Sequence, residues 1–366
     1  MTQTLLVTST GESTGKTAIT LALGRLAQER GRSVGYMKPK GTRLQSNVGK
    51  TLDRDPMLAR ELLDLDSEMH QMEPIVYSPT FVRGAIRGQE EPAELAEVVR
   101  EQFDALADGR DLMLVEGGGS HTTGGIVDLT DPQVADLLDA GVLLVAEYTD
   151  PTDVDDLLAA ADDIGSRLTG VLFNRVADGV YDELEEEVVP FLEARGVPVV
   201  GVLPRVRELA GVTVADLAEE LGAEVVTEAP TDAFVERFLV GAMGGDEALR
   251  YFRRTKNAAV ITGGDRSEIH TAALEAPGEK CLLLTGAHRP PGAVIGTAEK
   301  KGIPVLRVSG DTLSVVERCE EIVRSGRTRD ARTVERMHDL LFEHADVDSL
   351  VGAEDETDTA NEDDGS

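Results

Sequence analysis

The start of the chain contains an apolar run, a loop of small polar residues and a helical segment in immediate succession. The run TLLVTS covers residues 4–9, the loop STGESTGKT covers residues 9–17, and an apolar helical face follows within residues 18–27. A loop of this kind presents backbone N–H groups to an anion, and the helix N-terminus adds its partial positive charge. The arrangement predicts a phosphate-binding site at the start of the chain.

The glycine spacing of this loop differs by one position from the common phosphate-binding pattern. The pattern G-x₄-G-K-[ST] requires glycine at position 10, where this chain has Thr10 followed by Gly11. In such a loop Lys16 would reach phosphate oxygens, and the Thr17 hydroxyl would coordinate Mg²⁺. The alternative is a strand-to-helix turn that happens to contain Gly-Lys-Thr.

Short apolar runs alternate with helix-period segments through most of the chain. In the first half these runs cover residues 4–9, 33–38, 111–117, 142–147, 170–175 and 197–204. Strands separated by helices predict an α/β fold with a mainly parallel sheet and helices on both faces. After Pro204 a second, shorter α/β series follows, with apolar runs at residues 223–228, 257–265, 280–286 and 303–310. We therefore expect two domains, with a boundary near residues 205–210.

Two further charged residues, Lys38 and Glu116, fall at the ends of predicted strands. Ligands of open parallel sheets collect at the carboxyl ends of the strands, so Lys16, Lys38 and Glu116 should converge on one crevice. Taken alone, the Glu-Gly-Gly-Gly segment that begins at Glu116 would equally be a plain turn.

The composition is strongly acidic. The chain of 366 residues has 36 Lys and Arg against 68 Asp and Glu, a formal net charge of −32, and only 8 of its basic residues are Lys. A lysine-poor acidic surface suits a halophilic protein, because concentrated salt screens the repulsion. An ordinary acidic protein is the alternative. In either case nucleic acid and anionic membranes are excluded as partners of the surface as a whole.

Cysteine, histidine and hydropathy patterns exclude several other classes. Cys281 and Cys319 form neither a disulfide framework nor a zinc site, and the histidines show no ligand spacing. The N-terminus does not resemble a secretory leader, and no apolar run approaches 18 residues. We expect a cytoplasmic protein without a structural metal.

Six short motifs occur in an order that is typical of one protein family. They are VTSTGESTGKT, GYMKPKG, DRDPMLA, LVEGGGS, LFNRV and PVVGVLPR. Together they resemble dethiobiotin synthetase-like P-loop proteins over residues 1–205, and most closely the branch that forms the N-terminal region of long phosphotransacetylases. Displaced glycines are usual in that family, which accounts for Thr10.

The resemblance implies a site for ATP and Mg²⁺. Its nucleotide-binding residues would be Gly11, Glu12, Ser13, Thr14, Gly15, Lys16, Thr17 and Asn174, the last of which would read the adenine edge. Mg²⁺ would be held by Thr17, Asp55 and Glu116. The catalytic residues would be Lys16, Lys38 and Glu116, with Lys38 facing the transferred phosphoryl group or an acid substrate. For Asp53 and Asp55 helix capping is the alternative, and the metal assignment could shift between the two.

The second half resembles the DRTGG domain over residues 208–322. Its strand-end loops offer Arg266, His288 and Arg289 for an unknown small anionic ligand, and turns that serve only packing are the alternative. A helical extension is expected at residues 323–345. The acidic residues 346–366 are expected to form a disordered tail, because they cannot bury enough apolar surface.

Three functional hypotheses follow. The first is an ATP- and Mg²⁺-binding regulatory or switch protein, a possible slow ATPase without acetyl transfer activity of its own, which acts as a homodimer or on a partner enzyme of acetyl-CoA metabolism. The second is an ATP-dependent ligase or synthetase that phosphorylates a small carboxylate. The third is a binding protein with a vestigial loop, which the joint presence of Lys16, Thr17 and Glu116 disfavours.

Overall fold

The structure is a computed structural model that describes residues 2–42, 44–47, 50–206, 209, 211–286, 288–325 and 331–353. The chain divides into two compact units. The first unit combines Met1–Arg205 with Thr328–Ser366, and the second unit is Val206–Arg327. The second unit is therefore an insertion within the first.

The core of the first unit is a six-stranded sheet in the order β10-β9-β8-β1-β7-β2. The strands of this unit are β1 (Gln3–Ser9), β2 (Val34–Met37), β3 (Lys40–Gly41), β4 (Leu44–Asn47), β5 (Lys50–Asp53), β6 (Ile75–Val76), β7 (Leu112–Glu116), β8 (Gly141–Ala146), β9 (Leu168–Val176) and β10 (Val199–Pro204). All neighbouring strands of the six-stranded sheet run parallel. The predicted parallel α/β architecture is confirmed, because the continuous apolar runs are the buried strands of this sheet.

Helices connect these strands. They are α1 (Lys16–Glu29), α2 (Arg54–Leu62), α3 (Met69–Met72), α4 (Pro79–Ile86), α5 (Pro92–Ala107), α6 (Asp131–Leu137), α7 (Asp153–Ile164), α8 (Asp178–Glu183) and α9 (Val189–Glu193), with 3₁₀ turns at Gly125–Val127 and Gly165–Arg167 and a π turn at Leu184–Val188. Helix α1 is deeply buried: nearly every residue from Lys16 to Ala27 is shielded from solvent. The loop that leads into α1 is therefore held between two buried elements.

The second unit is a smaller α/β unit with a five-stranded sheet in the order β12-β17-β16-β15-β14. Its strands are β11 (Val212–Thr213), β12 (Glu224–Val225), β13 (Phe234–Val235), β14 (Arg237–Val240), β15 (Ala258–Gly263), β16 (Glu279–Thr285) and β17 (Val305–Val308). Its helices are α10 (Val214–Leu221), α11 (Gly245–Phe252), α12 (Ser267–Glu275), α13 (Gly292–Lys301) and α14 (Thr312–Ser325). Of the strand predicted at 223–228, only two exposed residues form a strand, β12, which pairs antiparallel with β17. Strand β14 was not predicted. No helix in the described ranges is long and apolar enough to cross a membrane.

The chain returns to the first unit through α15 (Ala331–His344) and α16 (Val347–Val351). This corrects two expected boundaries. The segment expected as one helical extension at 323–345 is divided, because its first residues finish α14 of the second unit. The segment expected to be disordered from residue 346 instead begins with α16, and only residues 354–366 of that tail lie outside the described residues.

The C-terminal helices are anchored by apolar burial and by hydrogen bonds. Helix α15 buries Val334, Met337, Leu340 and Leu341 and packs on α1 and β10. Residues Val347, Leu350 and Val351 of α16 are buried, although the surrounding sequence is acidic. Asp346 N donates to Val200 O at 2.7 Å. The acidic composition of residues 346–366 gave no sign of these spaced apolar residues, so disorder was wrongly predicted for the residues that form α16.

We expect Leu341→Ala to lower the free energy of unfolding by about 2–5 kcal/mol, because the substitution leaves a cavity under α15. Leu341 is fully buried, whereas its neighbour Phe342 is 68% exposed. Phe342→Ala should therefore change stability by less than about 0.5 kcal/mol. Urea unfolding of the two variants in parallel measures the difference, and equal losses would contradict the docking of α15 through this face.

Candidate functional site

The loop between β1 and α1 has the backbone of an anion cradle. Ser13 and Gly15 adopt left-handed backbone angles, with φ of 57° and 97°. Alternation of this kind turns successive N–H groups toward one concavity. Gly15 directly precedes Lys16, the first residue of α1, so the helix N-terminus faces the same region. The loop has the geometry that its sequence predicted.

Two residues near the end of β9, Asn174 and Arg175, donate hydrogen bonds to the backbone of this loop. Asn174 Nδ2 donates to Thr14 O at 2.8 Å, and Arg175 Nη1 donates to Ser13 O at 2.6 Å. Arg175 also forms an ion pair with Glu147, with 2.8 Å between Nη1 and Oε1. Asn174 therefore lies against the loop, and its contact with adenine stays a prediction. Arg175 was not singled out from the sequence, although it follows directly in the motif FNR.

Lys16 links the loop to the turn after β7. Its side chain is buried, and its Nζ donates to Ser9 Oγ at 2.7 Å and to Gly119 O. Gly119 belongs to the glycine segment that follows Glu116. The strand-end convergence expected for these two motifs is therefore present in the first unit.

The centre of the site is a buried cluster of one ammonium group and three carboxylates, which we call the Lys38 cluster: Lys38, Asp53, Asp55 and Glu116. Lys38 Nζ lies 3.0 Å from Asp53 Oδ2 and 3.5 Å from Glu116 Oε1, and it also contacts Asp55 Oδ2. None of the four side chains is more than 6% exposed. Burial lowers the pKa of Lys38, but the three carboxylates reverse this effect and raise its pKa well above the ordinary value. Lys38 is therefore charged.

Glu116 connects the Lys38 cluster to the start of α1. Thr17 Oγ1 donates to Glu116 Oε1 at 2.7 Å, and Tyr36 OH donates to Glu116 Oε2 at 2.8 Å. Burial raises the pKa of Glu116, and Lys38 opposes that rise. Burial and the charge of Glu116 likewise raise the pKa of Tyr36, which keeps its proton available for this bond. Tyr36 was not predicted, and its position in strand β2 gave no chemical signal.

Asp53 and Asp55 have different roles at the start of α2. Asp53 is the N-cap residue, and its carboxylate accepts from Asp55 N at 3.0 Å. The capping interpretation therefore applies to Asp53, which also accepts from Thr42 N and pairs with Lys38. Asp55 lies in the first turn, where its carboxylate contacts Lys38. One side chain serves both the helix and the cluster.

Glu73 is a fourth acidic residue, and it lies beside the Lys38 cluster. It was not predicted from the sequence. Its Oε2 accepts from Asp53 N at 3.0 Å, whereas its Oε1 is buried with no hydrogen-bond partner among the described residues. Burial raises the pKa of Glu73 to about 7, and the charge of Asp53 adds to the rise. Gly41 is required at this contact, since an added Cβ would lie 1.7 Å from Glu73 Oε1.

A second buried lysine braces the turn after β7. Lys40 Nζ donates to Thr123 O at 2.9 Å, to Asp131 Oδ1 at 2.9 Å and to Leu129 O. Asp131 Oδ2 also accepts from Thr8 Oγ1 at 2.6 Å. These partners lie in the segment that carries Gly119, so Lys40 positions the acceptor of Lys16. The sequence marked Lys40 only as part of GYMKPKG.

Sequence comparison assigns both units. A family model described as an AAA domain matches residues 3–213, which is more than half of the chain. The chain belongs to this AAA domain family. A second family model, the DRTGG domain, matches residues 216–322. The AAA domain therefore contains the loop and the Lys38 cluster, and the DRTGG domain lies within the second unit.

Relatives of this AAA domain chain include two kinds of curated protein. It is 22% identical to phosphate acetyltransferase of Haemophilus influenzae over 385 residues, which cover 96% of this chain and 52% of that protein. It is 26% identical to cobyric acid synthase of Clostridium acetobutylicum over 224 residues, which cover 55% of this chain and 45% of that protein. A ParA family ATPase from Chlorobium tepidum matches with a TM-score of 0.36 and 17% identity, over 57% of this chain and 87% of that one.

The chain spans about half the length of the curated phosphate acetyltransferases that it matches. The resemblance to the N-terminal region of these enzymes, as a P-loop domain followed by a DRTGG domain, is confirmed. The nearer likeness to dethiobiotin synthetases stays a prediction.

The AAA domain offers a donor set that fits Mg²⁺. Thr17, Asp55 and Glu116 supply one hydroxyl and two carboxylates, the hard oxygen ligands that Mg²⁺ prefers. A cation already lies among these oxygens, namely Lys38 Nζ. No cluster of three or more His, Cys, Asp or Glu side chains in the described part of the chain is arranged as a metal site. Mg²⁺ is usually held by one or two carboxylates together with water, so this smaller donor set would be sufficient.

Other predicted residues have less specific surroundings. Thr14 Oγ1 is buried in the loop and has no partner among the described groups. His121 Nδ1 is buried with no partner among the described groups, and its Nε2 lies 3.4 Å from Asp163 Oδ2. In the DRTGG domain Arg266 donates to the carbonyl oxygens of Gly241 and Met243, at 3.0 and 3.2 Å, so its guanidinium serves the loop backbone. His288 and Arg289 are exposed.

We expect Gly15→Ala to destabilise the AAA domain by at least about 1–2 kcal/mol, the cost of a left-handed backbone in a residue with a Cβ. The added Cβ would also lie 2.6 Å from Asn174 Nδ2. Gly11→Ala is the matched control in the same loop, because its Cβ would meet Thr14 Cγ2 at an ordinary 3.9 Å. Thermal unfolding without ligand measures both, and equal melting temperatures would contradict the contact of the loop with Asn174.

Proposed function

We propose that this protein is an ATP- and Mg²⁺-binding regulatory or switch protein with, at most, a slow ATPase activity. One observation supports this proposal above all: Thr17 is hydrogen-bonded to Glu116 of the buried Lys38 cluster, and the adjacent Lys16 is bonded to Gly119 O in the turn after Glu116. A vestigial loop would not need these charges, since burying unpaired ionic groups is costly. The family membership supports the same conclusion.

The loop amides and the N-terminus of α1 would receive the phosphates, with Lys16 as the charged partner. Lys16 Nζ donates to two neutral oxygens, Ser9 Oγ and Gly119 O. A charged phosphate oxygen would accept a stronger hydrogen bond from Lys16 and would replace them. Thr17, Asp55 and Glu116 would hold Mg²⁺, which supplies positive charge to the terminal phosphates when bound.

Asn174 would contact the adenine edge from the end of β9. Its Nδ2 carries two hydrogens, and one of them is donated to Thr14 O. The other hydrogen is the one that we assign to the base. Arg175, with Ser13 O and Glu147 as its partners, would keep the loop in place while the nucleotide binds.

The regulatory part of the proposal rests on chain connectivity. The second unit, which contains the DRTGG domain, is joined to the first unit at both ends, after β10 and before α15. Helix α15 packs on α1, which begins at the phosphate-binding loop. A small anionic ligand of the DRTGG domain would thereby influence the nucleotide site. Acetyl-CoA or acyl-phosphate metabolism, through a homodimer or a partner enzyme, is the context that the phosphate acetyltransferase relatives suggest.

An ATP-dependent ligase that phosphorylates a small carboxylate is the second candidate. Lys38 favours it, because a charged ammonium beside the proposed metal ligands would attract an acid substrate. A panel of small carboxylic acids, tested for stimulated ADP release, separates the two candidates. Release that rises many-fold with one acid would replace the regulatory proposal by the ligase, and uniform slow release would support the regulatory one.

We expect Lys16→Ala to weaken ATP binding in the presence of Mg²⁺ by at least about tenfold, or 1.4 kcal/mol, because a charge-assisted phosphate contact is lost. Lys300→Ala is the matched control, since it removes the same charge from an exposed position at the end of α13. Titration calorimetry in molar KCl, which screens the net charge, measures all three proteins. Equal affinities for wild type and Lys16→Ala would contradict the nucleotide site.

A further inference from the structure

The Lys38 ammonium uses the same oxygens that the proposed metal site requires. Its Nζ contacts Asp55 Oδ2 and lies 3.5 Å from Glu116 Oε1. Glu116 Oε1 is also the atom that accepts the hydrogen bond from Thr17 Oγ1, at 2.7 Å. Two of the proposed metal ligands, Asp55 and Glu116, therefore already have a positive charge beside them, and the third, Thr17, is bonded to Glu116.

A metal ion on Asp55 and Glu116 would lie close to the Lys38 ammonium, which contacts the same carboxylates. Like charges a few ångströms apart repel strongly in a buried site, where the effective dielectric constant is low. A divalent ion on Asp55 and Glu116 would also take the carboxylate oxygens that neutralise Lys38. The ammonium and the metal ion would therefore compete for the oxygens of Asp55 and Glu116, and Asp53 would remain to pair with Lys38.

We propose that Lys38 is a tethered counter-cation that holds the Mg²⁺ position until anionic ligand groups draw it away. This inference rests on the proposed function, because it concerns the same metal ligands. Mg²⁺ alone would then bind weakly, and phosphate or carboxylate oxygens beside the cluster would release the metal position by pairing with Lys38. Metal and anion therefore bind together, each raising the affinity of the other.

The counter-cation role requires only the side chain of Lys38 to move, while its backbone stays fixed. Lys38 N donates to Met72 O at 2.7 Å, which holds the main chain at the end of β2. Beyond the Cα, the four-carbon stem of a lysine is flexible and its ammonium can rotate toward a new partner. Lys40, two residues later, differs in this respect, because its Nζ is bound by two backbone carbonyls and Asp131.

The test compares Lys38→Met with Lys40→Met in the full chain, without nucleotide. Each substitution removes a buried ammonium group that is paired with a carboxylate. Only Lys38 contacts the proposed metal ligands, Asp55 and Glu116. We expect wild type and Lys40→Met to gain little thermal stability from MgCl₂ at constant ionic strength. Lys38→Met should gain clearly more, with an apparent Mg²⁺ affinity at least about tenfold higher than that of wild type.

Matched double variants keep the test decisive if a single variant does not fold. Lys38→Met/Asp53→Asn and Lys40→Met/Asp131→Asn each remove one positive and one negative charge, so the net charge of each site stays that of wild type. A Mg²⁺-dependent rise in melting temperature that is specific to the Lys38 pair is the expected result. Equal Mg²⁺ responses of the Lys38 and Lys40 proteins would overturn the proposal.

The outcome is separable from that of the nucleotide proposal. The Mg²⁺ titrations contain no nucleotide, whereas the Lys16→Ala comparison reports on ATP. If ATP does not depend on Lys16 but Mg²⁺ still binds only when Lys38 is removed, the nucleotide assignment fails and the counter-cation role stands. If ATP depends on Lys16 but Lys38→Met shows no gain in Mg²⁺ affinity, only the counter-cation role fails.

Discussion

The charge balance between Lys38 and three buried carboxylates is the interaction on which the organisation of the site depends. Asp53 caps α2, Asp55 lies in its first turn and Glu116 ends β7, so one ammonium joins three separate elements. Removing Lys38 would leave three buried carboxylates without this cation, which is far more costly than the pairs are stabilising. The cluster therefore constrains where α2 and β7 meet beside the loop.

The loop between β1 and α1 is held by hydrogen bonds from side chains of β9 and by a bond to the turn after Glu116. The backbone of this loop is left-handed at Ser13 and Gly15. The carbonyl oxygens of Ser13 and Thr14 accept hydrogen bonds from the side chains of Arg175 and Asn174. Lys16 ties the same loop to the turn after Glu116. Loop, turn and β9 are thus preorganised before any ligand arrives, which lowers the cost of binding.

Sequence reasoning predicted the sheet and much of the site because both rest on local signals. Continuous apolar runs identified all six strands of the first sheet, and strand-end positions identified Lys16, Lys38 and Glu116 as neighbours. Tyr36, Glu73 and Lys40 were missed because each acts through partners distant in sequence, and their local surroundings resemble an ordinary strand or loop. In the second unit, the short apolar stretch of β14 was too weak a pattern to predict a strand.

By itself the sequence determined a parallel α/β fold with phosphate-loop chemistry at its strand ends, because side-chain periodicity and glycine placement act over a few residues. Only the tertiary structure decided how the charges pair, since Thr17 and Glu116 meet across 99 positions and Lys38 neutralises groups from two other elements. It also decided that α15 and α16 return to the first unit. Their few apolar residues acquire meaning only against α1 and β10, where burial outweighs the acidic composition around them.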